Sequence, residues 1–105
     1  MTAREAIDRA DALLPNAVPE AEKLRLLAEL DGRLREEAAD LRGDEPPAAP
    51  VCTAASPLYL AAPWESLYLH WLQAEILYFQ AEYGRYENAR AQFNSLYLSW
   101  HAALI

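Results

Sequence analysis

The side chains of this sequence best suited to chemistry are two histidines, His70 and His101, and one cysteine, Cys52. The histidines lie far apart in sequence and in no metal-ligand spacing such as HExxH. We therefore interpret His70 as a residue on the polar face of a helix and His101 as a residue on a helix flank. Cys52 has no histidine or basic cluster near it in sequence to activate a thiolate. This pattern predicts no catalytic site, no metal site and no cofactor.

Two glutamates, Glu75 and Glu82, are the candidate acid–base pair. On a helix they lie about 10.5 Å apart along the axis, which is too far to share a proton. Both fall inside an apolar arc, where a carboxylate needs a cationic partner to offset its desolvation. Four arginines, of the same chain or of another subunit, are candidate partners: Arg33, Arg35, Arg85 and Arg90. We interpret both glutamates as members of structural ion pairs. An enzyme, which would need His70 and Glu75 to converge on a deep pocket, is the third hypothesis for function.

Length and composition limit the classes of protein to consider. A chain of 105 residues with 53% hydrophobic residues and three glycines is expected to fold as a single helical domain over 1–105. Its formal net charge of −7 argues against a nucleic-acid partner, which would need clustered Lys and Arg. No stretch approaches the roughly 20 apolar residues of a membrane span, so no membrane partner is expected either.

The two halves of the chain differ in composition. All six Tyr, three Trp and two Phe lie at Tyr59 or later, while residues 1–58 contain no aromatic residue. Charge is distributed the other way, with a net charge of −5 in residues 1–58 and −2 in residues 59–105. We therefore expect the acidic half to supply an aliphatic cover and the aromatic half to supply the packed hairpin.

Two helices are predicted in the acidic half. Thr2 and Glu5 are spaced as a capping box, which predicts a helix over 3–14. A second helix is predicted over 19–42, because Pro19 suits a first helical position and Gly43 suits a C-cap. This helix carries one narrow aliphatic stripe, formed by Leu24, Leu27, Leu30, Leu34, Ala38 and Leu41.

The stretch over 43–62 is predicted to be a proline-rich arm. Four of the seven prolines fall within it, and a fifth, Pro63, follows directly, which excludes a helix. Residues 44–57 have too little apolar content for a core of their own, so we expect them to be mobile or to dock on a neighbour. Their deletion should then leave thermal unfolding nearly unchanged.

The aromatic half predicts an antiparallel hairpin, with helices over 63–83 and 85–104 separated by a break at Gly84. Its expected core is Phe79, Tyr83, Tyr86, Ala89, Phe93, Tyr97 and Trp100. The first of these helices has two large aromatic faces, so we expect one face to pack in the bundle and the other to contact another chain. The expected partner interface is Trp64, Leu67, Trp71, Glu75, Tyr78 and Glu82.

Several short runs of this sequence resemble one protein family. In the second half they are residues 63–68 (PWESLY), 71–76 (WLQAEI) and 82–88 (EYGRYEN), followed by Phe93, Asn94 and Tyr97. In the first half they are residues 14–16 (LPN) and 30–32 (LDG), together with Lys23. The family is that of head–tail connector (adaptor) proteins, small proteins encoded in the structural-gene cassettes of tailed phages and prophages.

This resemblance implies an all-helical, non-enzymatic structural protein of a virion. It implies a subunit that forms a ring with copies of itself and bridges the portal protein to the tail proteins. Such a subunit would be found in the cytoplasm of the bacterial host during assembly and then in the virion.

A second resemblance favours a different class of protein. Gly84, Tyr86, Ala89 and Phe93 are spaced as in the turn and second helix of a tetratricopeptide hairpin. No second copy of the pattern is present, and about three repeats are needed for a stable array. The alternative hypothesis is therefore a cytoplasmic helical protein-binding module, either a regulator or a tetratricopeptide-like clamp.

Overall fold

Four α-helices form the chain in the computed structural model, which describes residues 1–43 and 53–104. In chain order they are α1 (Ala3–Leu13), α2 (Glu20–Arg42), α3 (Ser66–Phe79) and α4 (Tyr83–Leu104). The prediction of an all-α fold, a small bundle of four helices with a C-terminal αα-hairpin, is confirmed for the described residues. Helix α3 is central, because it packs against the other three helices more extensively than any of them does.

Helix α1 begins with the predicted capping box. The Thr2 hydroxyl accepts from the Glu5 N–H at 3.2 Å, and the Glu5 carboxylate accepts from the Thr2 N–H at 3.4 Å. Its apolar face is fully buried and consists of Ala3, Ala6, Ile7 and Ala10. The short helix is therefore held by both its cap and its docking surface.

Helix α2 lies along the bundle with its leucine stripe inward. Leu27, Leu30 and Leu34 are almost completely buried, whereas Leu41 near the C-terminus is 41% exposed. The helix ends at Gly43, which adopts the left-handed conformation with φ of 73°. Gly43 is thus the C-cap expected from the sequence.

The second part of the proline-rich arm packs against α1. The Ala3 N–H donates to the Ser56 carbonyl at 3.0 Å, and the Arg4 N–H donates to the Ala54 carbonyl at 2.9 Å. The first N–H groups of a helix have no partner within that helix, so these carbonyls supply the missing acceptors. Leu58 and Leu60 then enter the core.

The prediction that residues 44–57 are mobile or dock on a neighbour is therefore wrong for residues 53–57, and we now expect their deletion to lower stability. They satisfy backbone donors of α1, a role that the low apolar content of the segment does not reveal. Residues 44–52, which include Cys52, lie outside the described residues.

Helix α3 is shorter than predicted at both ends. At the start of the helix the Leu67 and Tyr68 N–H groups donate to carbonyls three residues back, at 3.0 and 3.1 Å. The chain therefore enters α3 through a tight turn. At the other end the chain leaves the helix after Phe79, and Ala81 adopts the left-handed conformation with φ of 59°. The predicted break at Gly84 is wrong, since Gly84 lies in the first turn of α4.

The turn between α3 and α4 is a Schellman motif. The Glu82 N–H donates to the Leu77 carbonyl at 3.0 Å, and the Ala81 N–H donates to the Tyr78 carbonyl at 3.0 Å. This motif usually has glycine at the left-handed position, which is why the nearby glycine misled the prediction.

Candidate interaction surface

Two residues of the expected partner interface lie inside the subunit. Leu67 and Trp71 are 0% and 4% exposed. The Trp71 indole N–H donates to the Leu26 carbonyl on α2 at 3.1 Å, and its ring lies 5.2 Å from that of Phe93 on α4. The assignment of these two residues to a partner interface is therefore corrected. Because α3 is central, α2 and α4 cover the second aromatic face within the subunit.

Other residues of the expected interface remain accessible. Trp64 and Glu75 are half-buried, while Tyr78 and Glu82 are exposed. They do not form one face: Trp64 precedes α3, whereas Tyr78 and Glu82 lie at its opposite end. About 21 Å of helix separates the two groups.

The residues of the expected hairpin core also differ in burial. Ala89, Phe93 and Trp100 are buried between the helices. Tyr86 and Tyr97 are half-buried, and the Tyr97 hydroxyl donates to the Glu37 carboxylate on α2. Burial, followed by this hydrogen bond, raises the pKa of Tyr97 to about 12.

Phe79 and Tyr83 do not belong to the hairpin core. They are 63% and 56% exposed, because they flank the turn between α3 and α4, and no other helix within 1–43 and 53–104 covers them. Their assignment to the core is therefore corrected. Because α3 ends at the Schellman motif, both rings lie beyond the part of the hairpin in which the two helices pack together.

Tyr78, Phe79 and Tyr83 form an exposed cluster that we call the aromatic tip. Tyr78 is 56% exposed, and its ring lies edge-on at 5.6 Å from Tyr83 and 5.2 Å from Tyr86. Edge-to-face contacts of this kind hold the rings in a defined arrangement. Exposed apolar clusters on a small protein are a common mark of a partner surface.

The aromatic tip adjoins the connection between α1 and α2. Val18 of that connection lines a shallow groove of about 140 Å³ together with Tyr78 and Phe79. Glu75 lines the same groove. The surface at this end of the molecule therefore combines apolar side chains with the charged side chains of Glu22, Arg25 and Glu75.

The two glutamates singled out in the sequence have arginine partners within the chain. Glu75 lies 3.8 Å from Arg90, and Glu82 lies 3.1 Å from Arg85 in an exposed pair. Burial raises the pKa of Glu75, and the charge of Arg90 acts against that shift. Both glutamates are thus members of ion pairs, as the sequence interpretation stated.

The histidines occupy separate places in the fold. His70 is half-buried, burial lowers its pKa, and its Nδ1 atom has no hydrogen-bond partner among the described residues. His101 lies in the last turn of α4, with its ring 6.1 Å from that of Tyr97. His70 does not line the groove that Glu75 lines. Within 1–43 and 53–104, no three His, Cys, Asp or Glu side chains are grouped to hold a metal ion.

A second groove lies where α2 and α4 end. We call it the tryptophan groove; its volume is about 280 Å³. Its lining consists of Arg42, Tyr59, Leu60, Ala61, Trp64, Trp100, Ala103 and Leu104. The groove thus combines three aromatic rings with polar surface, and the exposed Arg42 side chain is its cation.

The sequence interpretation missed a buried polar cluster around Asp31. This carboxylate accepts from the Tyr68 hydroxyl at 2.6 Å, the Tyr59 N–H at 2.8 Å and the Arg35 Nε at 2.9 Å. The Tyr68 hydroxyl in turn accepts from the Leu60 N–H at 3.0 Å. Burial, followed by the bond to Asp31, raises the pKa of Tyr68. The cluster fixes Tyr59 and Leu60, two lining residues of the tryptophan groove, against α2 and α3.

Comparisons with protein-family models, curated proteins and solved structures found no match to this chain. In the part of the chain that the structure describes, no helix has the length and apolar character needed to cross a membrane.

Proposed function

We propose that this protein is a non-enzymatic assembly subunit, a head–tail connector (adaptor) of a tailed phage or prophage. Its partners are other copies of the chain together with portal and tail proteins, and it acts in the host cytoplasm during assembly and then in the virion. The resemblance of residues 63–68, 71–76 and 82–88 to that family suggests the class of partner.

The aromatic tip is the observation that carries this proposal. Three aromatic side chains, each more than half exposed, lie together at one end of a chain of 105 residues. Aromatic residues are enriched at the centres of protein interfaces, where their burial supplies much of the binding energy. A surface of this composition supports a role in binding protein.

Co-purification with a portal protein tests the proposal. The chain should form a complex with the portal protein encoded beside it, detected by light scattering coupled to size-exclusion chromatography. Phe79→Ser should weaken the complex about tenfold or more, because Phe79 is the most exposed ring of the tip. Leu98→Ser is the matched control, since Leu98 on α4 is 65% exposed and lies outside the tip. Absence of any complex with the wild-type chain would overturn the proposal.

A helical protein-binding module is the second candidate. The tryptophan groove favours it, because a groove of about 280 Å³ lined by three aromatic rings can hold one or two side chains of a peptide. Gene neighbourhood separates the two candidates. Portal, capsid and tail genes beside the coding sequence favour the connector, and a regulator or toxin gene favours the module.

A further inference from the structure

The groove beside the aromatic tip, which we call the tip groove, combines exposed rings with a carboxylate. Tyr78 and Phe79 at the end of α3 line it, and so does Glu75, one helical turn before Phe79. Its volume of about 140 Å³ suits one side chain rather than a helix or a strand. The tip groove is therefore a place where a partner protein can insert a single residue.

We infer that the tip groove binds an arginine side chain of a partner protein, with Glu75 as the carboxylate that receives it. This inference rests on the proposed function and deepens it, because it names the chemistry that a partner must offer to the aromatic tip.

The Glu75 carboxylate has acceptor positions that no donor of the described residues fills. Its Oε1 atom lies 3.8 Å from Arg90 Nη1, which is beyond hydrogen-bond distance. The Arg90 guanidinium instead lies over the Trp71 ring, at 4.9 Å, and near the Phe93 ring, at 5.4 Å. Burial raises the pKa of Glu75, as expected for a carboxylate whose lost hydration is incompletely replaced. A donor from another molecule can therefore still bond to this carboxylate.

The arginine that already lines the tip groove is held by other carboxylates. Arg25 donates to Glu22 from Nε at 3.1 Å and from Nη2 at 2.5 Å, and it donates to Glu29 from Nη1 at 3.2 Å. Three carboxylates, those of Glu22, Glu29 and Glu75, thus surround the two guanidinium groups of Arg25 and Arg90. This excess of negative charge, on a chain of net charge −7, favours a cation as the inserted group.

The exposed rings favour arginine over lysine. Tyr78 and Phe79 are 56% and 63% exposed, so a planar guanidinium can lie over a ring while it donates two hydrogen bonds to a carboxylate. A lysine ammonium is more strongly hydrated and acts as a point charge. The chain itself contains the same combination, because Arg35 donates to Asp31 at 2.9 Å while its guanidinium lies 5.2 Å from the centre of the Tyr59 ring.

Binding of a short peptide of alanine, arginine and alanine, acetylated and amidated at its ends, tests the inference. The NMR resonances of the Tyr78 and Phe79 rings follow the titration. Two matched peptides carry lysine or citrulline in place of arginine, and citrulline keeps the shape of arginine without its charge. The arginine peptide should bind weakly but saturably, and the citrulline peptide should bind about tenfold more weakly or less. The lysine peptide should bind with intermediate affinity.

Three variants of the protein locate the binding site. Glu75→Gln keeps the size of the side chain and should weaken binding of the arginine peptide about tenfold or more. Phe79→Ser should weaken it about two- to fivefold, as expected for loss of one exposed cation–π contact. Glu87→Gln is the matched control, because it removes one charge from an exposed residue of α4 outside the tip groove, and it should bind like the wild type. Helical circular dichroism should be the same for all variants.

The outcomes separate this inference from the proposed function. The inference is overturned if the arginine peptide does not bind, if the citrulline peptide binds equally well, or if Glu75→Gln binds like the wild type. A portal complex that Glu75→Gln does not weaken would also overturn it and would leave the proposed function intact. Arginine-peptide binding that depends on Glu75, in a chain that forms no portal complex, would support the arginine site and overturn the proposed function.

Discussion

At the scale of single residues, the Asp31 cluster shows how one carboxylate organises several segments of the chain. Asp31 is 4% exposed and accepts from donors on α2, α3 and the segment before α3. A buried carboxylate is tolerated when hydrogen bonds and a cation replace its lost hydration, and here Arg35 supplies the charge. The four-residue spacing of Asp31 and Arg35 is visible in the sequence, but spacing alone does not show that the pair is buried.

Removal of the Tyr68 hydroxyl tests the cluster. Tyr68→Phe keeps the ring but leaves the buried Leu60 N–H without its acceptor and removes one of the three donors to Asp31. An unsatisfied buried polar group costs about 1–3 kcal/mol, so the free energy of unfolding in urea should fall by about that amount.

Tyr78→Phe is the matched control for this prediction, because the Tyr78 side chain is 56% exposed in the aromatic tip. Its free energy of unfolding should stay within about 0.5 kcal/mol of the wild-type value. Equal stability of Tyr68→Phe and Tyr78→Phe would contradict the role given to the cluster.

At the scale of elements, the sequence predicted the presence of each helix more reliably than the residues at which each helix begins and ends. The capping box of Thr2 and Glu5 and the glycine C-cap at Gly43 are local signals, and the structure contains both. The turn between α3 and α4 gave no such signal, because Ala81 occupies a position that glycine usually takes. The sequence therefore predicted the break at Gly84, and the predicted α3 was too long at its C-terminal end.

The division of surfaces between core and partner was harder to predict for a physical reason. The two aromatic faces of α3 were recognisable from periodicity, but the number of helices that cover them is a tertiary property. Trp71 is buried because both α2 and α4 reach it, and neither contact can be inferred from the spacing within α3. In the same way, the carbonyls that cap α1 come from residues at least 50 positions away.

Substitution of Ala81 tests the turn. Ala81 is exposed and has a φ of 59°, a conformation that costs an L-residue with a Cβ atom about 1 kcal/mol relative to glycine. Ala81→Gly should therefore raise the free energy of unfolding by about 0.4–1 kcal/mol. The control is Ala91→Gly at an exposed interior position of α4, which should lower it by about 0.5–1 kcal/mol. A loss of stability in Ala81→Gly would show that the turn has a different conformation in solution.

At the scale of the whole molecule, the two halves of the chain, which differ in composition, contribute different side chains to one shared core. The acidic half contributes aliphatic faces, and the aromatic half contributes rings that those faces cover. The core includes Ala3, Ile7, Leu27, Leu30, Leu34, Tyr68, Trp71, Phe93 and Trp100. Since residues from both halves share this core, the two halves should unfold together.

This cooperativity can be measured because all three tryptophans lie in the aromatic half. Circular dichroism reports on all four helices, whereas tryptophan fluorescence reports on the surroundings of Trp64, Trp71 and Trp100 alone. Leu30→Ala removes a side chain of α2 that is 1% exposed, and such changes cost about 2–5 kcal/mol. Its midpoint of thermal unfolding should fall by the same amount with both probes.

The control for cooperativity is Leu41→Ala, because Leu41 lies on the same helix but is 41% exposed. Its cost should be well below that of Leu30→Ala, since an exposed side chain loses little burial. If fluorescence of the Leu30→Ala variant kept its wild-type midpoint while circular dichroism did not, the aromatic hairpin would be stable without α2. The hairpin that carries the aromatic tip would then fold without the acidic half, and mutations in that half would leave the binding of the tip to a partner protein unchanged. If the two probes instead give one common midpoint, the structure of the aromatic tip depends on the whole bundle.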